Sequence, residues 1–246
     1  MGADTNDFMI LAPAGLQFLL QFSPFVFLMR GQVGCDTGLP WFGHWIYAGS
    51  LGLATPALSN TAFLGPDVMT KPNDITVPIL GLQGTIFAKF FLFFVTILNN
   101  YDQYGDIMSA CIAISCGWQY AWLMVLIFFV GYILQLIVIG YIGGGVVVLM
   151  YVLGFSPEGR AAGAGNQSAI TKENSLKLLA LAGLSRLITE IIPQGILQVM
   201  FAQEVKPSMT VYVSIVFSLM TGTKAAYNGY KYFFPTTTYS MVAASN

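Results

Sequence analysis

Two pairs of charged side chains stand four residues apart within otherwise apolar segments. Asp102 and Asp106 form one pair, and Arg186 and Glu190 form the other. Residues four apart share one face of a helix, so each pair would project in a single direction. Two neighbouring carboxylates repel each other, and they need a cation nearby or a proton on one of them. The spacing therefore predicts an electrostatic cluster.

Other polar residues extend this cluster along the same faces. A charge at the centre of a membrane costs about 2.5–3.5 kcal/mol on insertion scales, so it normally faces the protein interior and finds a partner. Three acidic and three basic residues occur within the apolar segments, which predicts ion pairs joining three helices. The predicted intramembrane charge network consists of Lys89, Asn99, Asp102, Asp106, Arg186, Glu190, Gln194, Gln198 and Lys224. Such a network either fixes helix register or lines a hydrophilic path for a lipid headgroup or an ion.

Composition identifies the environment of these charges. Hydrophobic residues make up 56% of the 246 residues, charged residues only 9%, and the net charge is −1. A soluble domain carries about a quarter charged residues, so the chain has too few charges to cover a surface in water. This composition excludes a soluble enzyme, a nucleic-acid binder and a disordered chain. A polytopic integral membrane protein remains.

The spacing of charges predicts an all-α transmembrane bundle of four to five spans. A spanning helix needs about 20 mostly apolar residues. Residues 1–76 would form an N-terminal span, over 8–29, followed by a Gly/Pro-rich segment. Residues 77–246 would form the helical core, interrupted by a soluble loop at 156–175. Arg160, Lys172 and Lys177 place that loop on the cytosol- or stroma-like side.

Several helix ends are also predicted. The pattern over 81–116 has no proline and would give a helix of roughly 50 Å, at about 1.5 Å per residue. Such a helix either projects from the bilayer or breaks near Asn99-Asn100. Gly117 marks a turn, and Gly143-Gly144-Gly145 marks a break or a point of close packing. Pro193 cannot bond the carbonyl of Thr189, which predicts a kink.

The segment 37–66 has no charge but is rich in Gly, Pro, Ser and Asn, and is interpreted as re-entrant or interfacial. Trp41, Trp45 and Tyr47 resemble an interfacial aromatic belt. His44 lies among them and is either an ordinary interfacial residue or a ligand for the metal of a pigment.

Catalytic and metal-binding motifs are missing from the sequence. The single histidine leaves no Ser/His or Cys/His pair with a spare, so no enzyme activity is expected. Asp102 and Asp106 resemble a divalent-cation pair, but two carboxylates on one helix indicate a metal only weakly without further oxygen ligands, and no metal or cofactor site is predicted. The three cysteines, an odd number without CxxC spacing, argue against a disulfide framework or a zinc site. Cys111 and Cys116 are interpreted as small core residues.

Two motifs resemble those of XK-related membrane proteins. One is Tyr101-Asp102-Gln103-Tyr104-Gly105-Asp106-Ile107, which is followed by Gly117-Trp118 and a long apolar helix. The other is Glu190-Ile191-Ile192-Pro193-Gln194-Gly195-Ile196-Leu197-Gln198, which is followed by a Ser-rich span. The resemblance covers about 87–232 and implies a helical membrane protein that scrambles phospholipids or partners with lipid-transfer proteins. By this resemblance, Asp102, Asp106, Arg186 and Glu190 would line or gate the lipid path. The chain is shorter than typical members and lacks their later helices.

The expected function is therefore phospholipid scrambling or lipid passage along a charged intramembrane groove, with membrane lipids and other membrane-protein subunits as partners. The alternative is a non-catalytic accessory subunit of a photosystem or respiratory complex in a thylakoid or mitochondrial membrane. Chlorophyll or other pigment contacts would occur only under that alternative. A small ion channel is the third interpretation.

Overall fold

A computed structural model describes residues 5–59, 76–77, 82–83, 86–152 and 172–234. Within these ranges the fold is all-α, as predicted, apart from two strands of two residues each. The helices are α1 (Thr5–Leu20), α2 (Ser23–Met29), α3 (Trp41–Ser59), α4 (Ile86–Ser115), α5 (Ala121–Val152), α6 (Lys172–Arg186), α7 (Ile192–Val205) and α8 (Met209–Phe233), with a π-helical turn at Leu187–Ile191 and strands β1 (Thr76–Val77) and β2 (Leu82–Gln83) paired antiparallel.

Helix α4 is the central element of the bundle. It packs against α2, α3, α5 and α8, while α1 packs on α3 and α6 packs on α5 and α8. Aromatic residues from several helices fill the core around it. These include Tyr47, Tyr104, Trp118 and Phe201, each less than a tenth exposed. Side chains on opposite faces of α4 are therefore buried against different neighbouring helices.

Two of the proposed helix breaks are wrong. Helix α4 is continuous across Asn99-Asn100, and the Asn100 side chain donates through Nδ2 to the Thr96 carbonyl of the same helix, 2.8 Å away. Helix α5 is also continuous through Gly143-Gly144-Gly145. Apolar surroundings offer a broken backbone no water, so keeping the intrahelical bonds outweighs the poor helix propensity of glycine.

Two helices of the described residues are long and apolar enough to cross a membrane. They are 121–142 in α5 and 209–230 in α8. The segment interpreted as re-entrant forms the 19-residue helix α3, packed between α1 and α4. The core of the predicted soluble loop, 156–171, lies outside the described residues.

The π-helical turn lies immediately before Pro193. The amide of Ile192 donates to the carbonyl of Leu187, five residues back, where an α-helix would bond four back. Pro193 is then near the start of α7, a position where its missing N–H costs little. The wider turn thus accommodates the proline that the sequence places inside a helix.

Three connections meet at one end of the bundle, here named the disulfide end: residues 30–40, 116–120 and 206–208. A disulfide joins Cys35 to Cys116, and the Ser208 amide donates to the Cys35 carbonyl at 3.2 Å. Gly117 makes the predicted turn with φ +67°. The interpretation of Cys116 as a free core residue is wrong, because the turn after α4 carries it out to the loop before α3. Cys111, one helical turn earlier, is buried and free.

Candidate functional site: a buried charge layer

Four ionisable side chains meet inside the bundle and form what is here called the charge layer: Asp102, Asp106, Arg186 and Glu190. All four are buried, with at most 8% of any residue exposed. Asp102 and Asp106 lie on α4, Arg186 ends α6, and Glu190 lies in the π-helical turn. The sequence spacing placed each pair on one helical stretch, and the packing of both α4 and α6 against α5 and α8 brings the two pairs together.

Asp102 has the most complete set of hydrogen-bond donors. Arg186 Nη2 lies 2.7 Å from its Oδ2. Helix α8 adds Ser218 Oγ to Oδ1 and Thr221 Oγ1 to Oδ2, each at 2.8 Å. A buried ion pair is retained only where hydrogen bonds replace the lost water, and three donors from two helices do so here.

Asp106 is held less completely. Gln198 Nε2 donates to its Oδ1 at 2.8 Å, and Ser218 Oγ lies 3.4 Å from the same oxygen. Gln198 Nε2 also lies 3.3 Å from Ser214 Oγ. Within the described part of the chain, Asp106 Oδ2 has no hydrogen-bond partner. One carboxylate oxygen is thus anchored, and the other is buried and unengaged.

Glu190 lies on the far side of Arg186 from Asp102. Arg186 Nε is 3.7 Å from Glu190 Oε2, and Gln135 Nε2 of α5 donates to the same oxygen. A β-carbon on Gly131 would lie 2.8 Å from Glu190 Cβ and 3.3 Å from the Thr189 carbonyl oxygen. Glycine at 131 therefore lets α5 approach the π-helical turn closely enough for Gln135 to reach Glu190.

Gln194 completes the stripe predicted along α6 and α7. It is fully buried, and neither its Oε1 nor its Nε2 has a hydrogen-bond partner among the described residues. Glu190 and Gln198 stand four residues to either side of it. Side chains at that spacing share a helix face, so Gln194 lies between two residues that engage the charge layer.

Lys224 and Asn99 lie at the edge of the layer. Lys224 Nζ donates to Asn99 Oδ1 at 2.8 Å. Thr221, one helical turn before Lys224 on α8, donates to Asp102. Lys89 belongs to α4, but its side chain lies outside those described. Hydrogen bonds and ion pairs therefore join seven of the nine predicted network positions to one another or to neighbouring helices. Gln194 is placed beside them by its helix face.

An apolar groove runs between α4 and α8 beside this edge. Its volume is about 590 Å³, and its lining consists of Phe94, Leu98, Val216, Leu219, Met220, Thr223, Lys224 and Tyr227. Lys224 is the only charged residue in that lining. The groove is thus an apolar channel on the outer face of the bundle with one cation at its wall.

His44 belongs to a second polar cluster, on the opposite side of α4. Its Nδ1 lies 3.4 Å from Tyr104 Oη, and Tyr104 stacks on Tyr47 with ring centroids 3.8 Å apart. Tyr47 Oη donates to the Asn100 carbonyl at 2.7 Å and accepts from Gln17 Nε2 at 3.1 Å. Within the described residues, His44 Nε2 is buried and has no hydrogen-bond partner.

Sequence reasoning missed four partners of the charge layer: Gln135, Ser214, Ser218 and Thr221. The last three stand at spacings of four and three on α8, a stripe that identifies one helix face. That signal was available, because a run of hydroxyl residues on an apolar helix needs partners. Gln135 is a lone polar residue inside α5, and nothing in its spacing indicates Glu190.

The fold and the site define an all-α bundle organised around a buried Arg–Asp ion pair. No protein-family model matches this chain, and no curated protein or solved structure matches it. Within the described residues, no three His, Cys, Asp or Glu side chains converge as they would around a metal ion. Function must therefore be inferred from the chemistry of the site and its surroundings.

Proposed function

We propose that this chain is a polytopic, non-catalytic membrane protein that lets phospholipids pass along the groove between α4 and α8. The single observation that carries the proposal is Lys224, which lines the groove and donates to Asn99, three residues before Asp102 on α4. An acyl chain would lie against the apolar lining, and the lipid phosphate would meet the ammonium group. A charge-assisted contact of this kind is about twice as strong as a neutral hydrogen bond.

The outer surface of the bundle supports a membrane environment. Large apolar side chains are exposed along α5, and they include Trp122, Leu126, Ile133, Ile137 and Tyr141. Helix α8 exposes Val216 and Leu219 in the same way. Exposed apolar area of this extent is typical of a surface that faces lipid or another protein. Charges are meanwhile gathered inside, where a bilayer requires them.

We infer further that the chain crosses the bilayer more than the two times that helix length and hydropathy alone indicate. Helices α4 and α6 pack against both α5 and α8, α3 packs on α4, and α1 packs on α3. Helix α4 has 30 residues and is about 45 Å long at about 1.5 Å per residue, which is enough to cross a bilayer. The resemblance to XK-related proteins over Tyr101–Ile107 and Glu190–Gln198 supports the same function. In this proposal the charge layer holds α4 and α8 at the spacing that keeps the groove open.

The test is lipid scrambling by the purified protein in liposomes that contain fluorescent phospholipid. Transfer of label between leaflets above the protein-free rate is expected. Leu219→Trp would fill the groove and reduce the rate at least several-fold, whereas Val213→Trp, exposed on the same helix but outside the groove lining, would leave it unchanged. Asp102→Ala and Glu190→Ala would also change the rate. A wild-type rate equal to protein-free liposomes would refute lipid passage.

A second candidate function, an accessory subunit of a photosystem or respiratory complex, is favoured by His44. Its Nε2 is buried and has no hydrogen-bond partner among the residues that the structure describes, and Trp41 and Trp45 are exposed on the same helix at 73% and 70%. A neutral imidazole nitrogen ligates metals, so this face could receive a pigment. Co-migration with a large pigmented or redox-active complex on a native gel would support this candidate, and migration as a monomer or dimer would argue against it.

A further inference from the structure

We infer that the charge layer binds one monovalent alkali cation, with Na⁺ as the probe, through Asp106, Gln194 and Gln198. The inference does not depend on lipid passage. It starts from oxygen atoms that are buried and have no partner in the described part of the chain: Asp106 Oδ2, Gln194 Oε1, Gln198 Oε1 and Glu190 Oε1. All are hard ligands of the kind that alkali and alkaline-earth cations prefer.

Charge supports a single positive ion. Asp102, Asp106 and Glu190 contribute three carboxylates to the buried interior, whereas Arg186 inside and Lys224 at the edge contribute two cations. Asp102 already has the 2.7 Å ion pair with Arg186. One further positive charge near Asp106 therefore balances the cluster, and Coulomb attraction between unit charges about 4 Å apart is several times stronger near protein than in bulk water.

The donor set favours a monovalent ion over a divalent one. No group of three His, Cys, Asp or Glu side chains converges among the described residues, so a carboxylate-rich divalent site is not formed. Amide oxygens with one carboxylate carry the lower ligand charge that suits Na⁺. A proton on Asp106 would balance charge as well, but it would leave the fully buried Gln194 without any partner.

A substitution of Gln194 distinguishes a cation-binding site from a buried polar cluster that binds no ion. It makes no hydrogen bond within the described residues, yet it is fully buried on the face that engages Asp106 through Gln198. An unpaired buried amide costs free energy, so an apolar replacement that retains its size would leave the fold intact or stabilise it. The same replacement would remove an oxygen from the cation.

The test is thermal unfolding of the detergent-purified protein, followed by the reaction of a thiol-specific dye with the buried free Cys111. Titration with NaCl, replaced by N-methylglucamine chloride at constant ionic strength, is expected to raise Tm saturably by roughly 5 °C. Gln194→Leu and Asp106→Asn would lose this shift, and Asp36→Asn on an exposed loop would retain it. An equal Tm with both salts, or a sodium shift that survives in Gln194→Leu, overturns the inference. A Tm that responds to pH but not to sodium assigns the missing charge to a proton and overturns it too.

A separate observation carries a second inference, which rests on the proposed membrane location: the geometry points to a disulfide end that faces an oxidising compartment. Cys35 and Cys116 are bonded, and disulfides form and persist outside the cytosol. Helix α5 ends and α6 begins at the opposite end. Lys172 and Lys177 lie in the first two turns of α6, and the sequence between the two helices contains Arg160. Basic residues favour the cytosolic side, so two independent signals agree on one orientation.

Labelling of sealed, right-side-out vesicles tests this orientation. The vesicles are first treated with an impermeant reductant, and an impermeant maleimide is then expected to label Cys35 and Cys116. A variant that lacks both cysteines is the control and should show no such labelling. Ser168→Cys, in the α5–α6 connection, would be labelled only after permeabilisation. Labelling of Ser168→Cys in sealed vesicles, or of all sites only after permeabilisation, overturns the orientation. Scrambling activity is measured separately, so a failure of lipid passage leaves this result readable.

Discussion

The two faces of α4 solve the problem of buried polarity differently. The face towards α3 carries a neutral cluster of Gln17, Tyr47, Asn100 and Tyr104, here named the tyrosine cluster, held by hydrogen bonds and ring stacking. The opposite face carries Asp102 and Asp106 of the charge layer, which is held together by the ion pairs of Arg186 with Asp102 and Glu190. Asn100 and Asp102 are only two positions apart in the sequence. A single helix thus presents neutral hydrogen-bonding groups on one face and carboxylates that need a charged partner on the other.

The two faces should differ in how much a single substitution lowers the free energy of unfolding. Loss of one partner from a neutral hydrogen bond costs about 1 kcal/mol, whereas loss of one partner from a buried ion pair strands a charge and costs about 3–5 kcal/mol. The tyrosine cluster should therefore tolerate substitutions that the charge layer does not. Four variants test this contrast.

The largest effect is expected for Arg186→Met, which leaves Asp102 buried without its cation. The free energy of unfolding should fall by about 3–5 kcal/mol, as measured by thermal or denaturant unfolding in detergent. The double variant Arg186→Met with Asp102→Leu removes both charges and should recover most of this loss. If the single variant is as stable as the wild type, the ion pair does not organise the bundle.

The disulfide comes next. Cys35 and Cys116 are 81 residues apart in sequence, and their bond closes the loop that contains all of α3 and α4. Replacing both by serine should lower the free energy of unfolding by about 2–4 kcal/mol, and the loss should loosen the tyrosine cluster more than the charge layer. Cys111→Ala serves as the control for cysteine removal. Hydrogen exchange of α3 and of α6 compares the two faces, and equal change on both would contradict the expectation.

Gly131→Ala probes the charge layer through packing alone. The new methyl group would lie 2.8 Å from Glu190 Cβ, and overpacking of this kind costs about 1–3 kcal/mol. Gly49→Ala is the matched control, because a β-carbon at 49 on α3 meets nothing within 4 Å. The midpoint of thermal unfolding should fall for Gly131→Ala and hold or rise for Gly49→Ala. A fall of the same size in both would assign the effect to helix propensity.

The smallest effect is expected in the tyrosine cluster. Tyr47→Phe removes the hydroxyl that bonds the Asn100 carbonyl and Gln17 but keeps the ring stacked on Tyr104. The loss should be about 1 kcal/mol, well below that of Arg186→Met, by the same unfolding measurement. A loss as large as that of the ion-pair variant would erase the contrast between the two faces.

Local spacing explains what could be predicted before the structure. Steps of four along a helix identified the Asp102/Asp106 and Arg186/Glu190–Gln198 stripes, since a helix places such residues on one face regardless of its neighbours. The same local reasoning failed at Gly143-Gly144-Gly145 and at Asn99-Asn100. Helix propensity has only a weak effect on where a helix ends. In apolar surroundings no water can bond a broken backbone, so the intrahelical hydrogen bonds are kept.

The cysteines show where local reasoning ends. An odd count without motif spacing gave no sign that Cys35 bonds Cys116, because the pairing depends on a turn and a loop meeting at one end of the bundle. In the same way, Gln135 reaches Glu190 only because Gly131 allows α5 to approach the π-helical turn.

Sequence alone determined the helical class, the scarcity of surface charge and the faces on which acidic and basic residues stand, since these depend on composition and on the 3.6-residue period of a helix. Tertiary packing alone decided which faces meet: that Asp102 bonds Arg186 and α8 hydroxyls, that Asp106 takes Gln198, and that Lys224 borders a groove. Contacts between helices far apart in sequence depend on how the whole bundle fills its interior, and no local pattern encodes that.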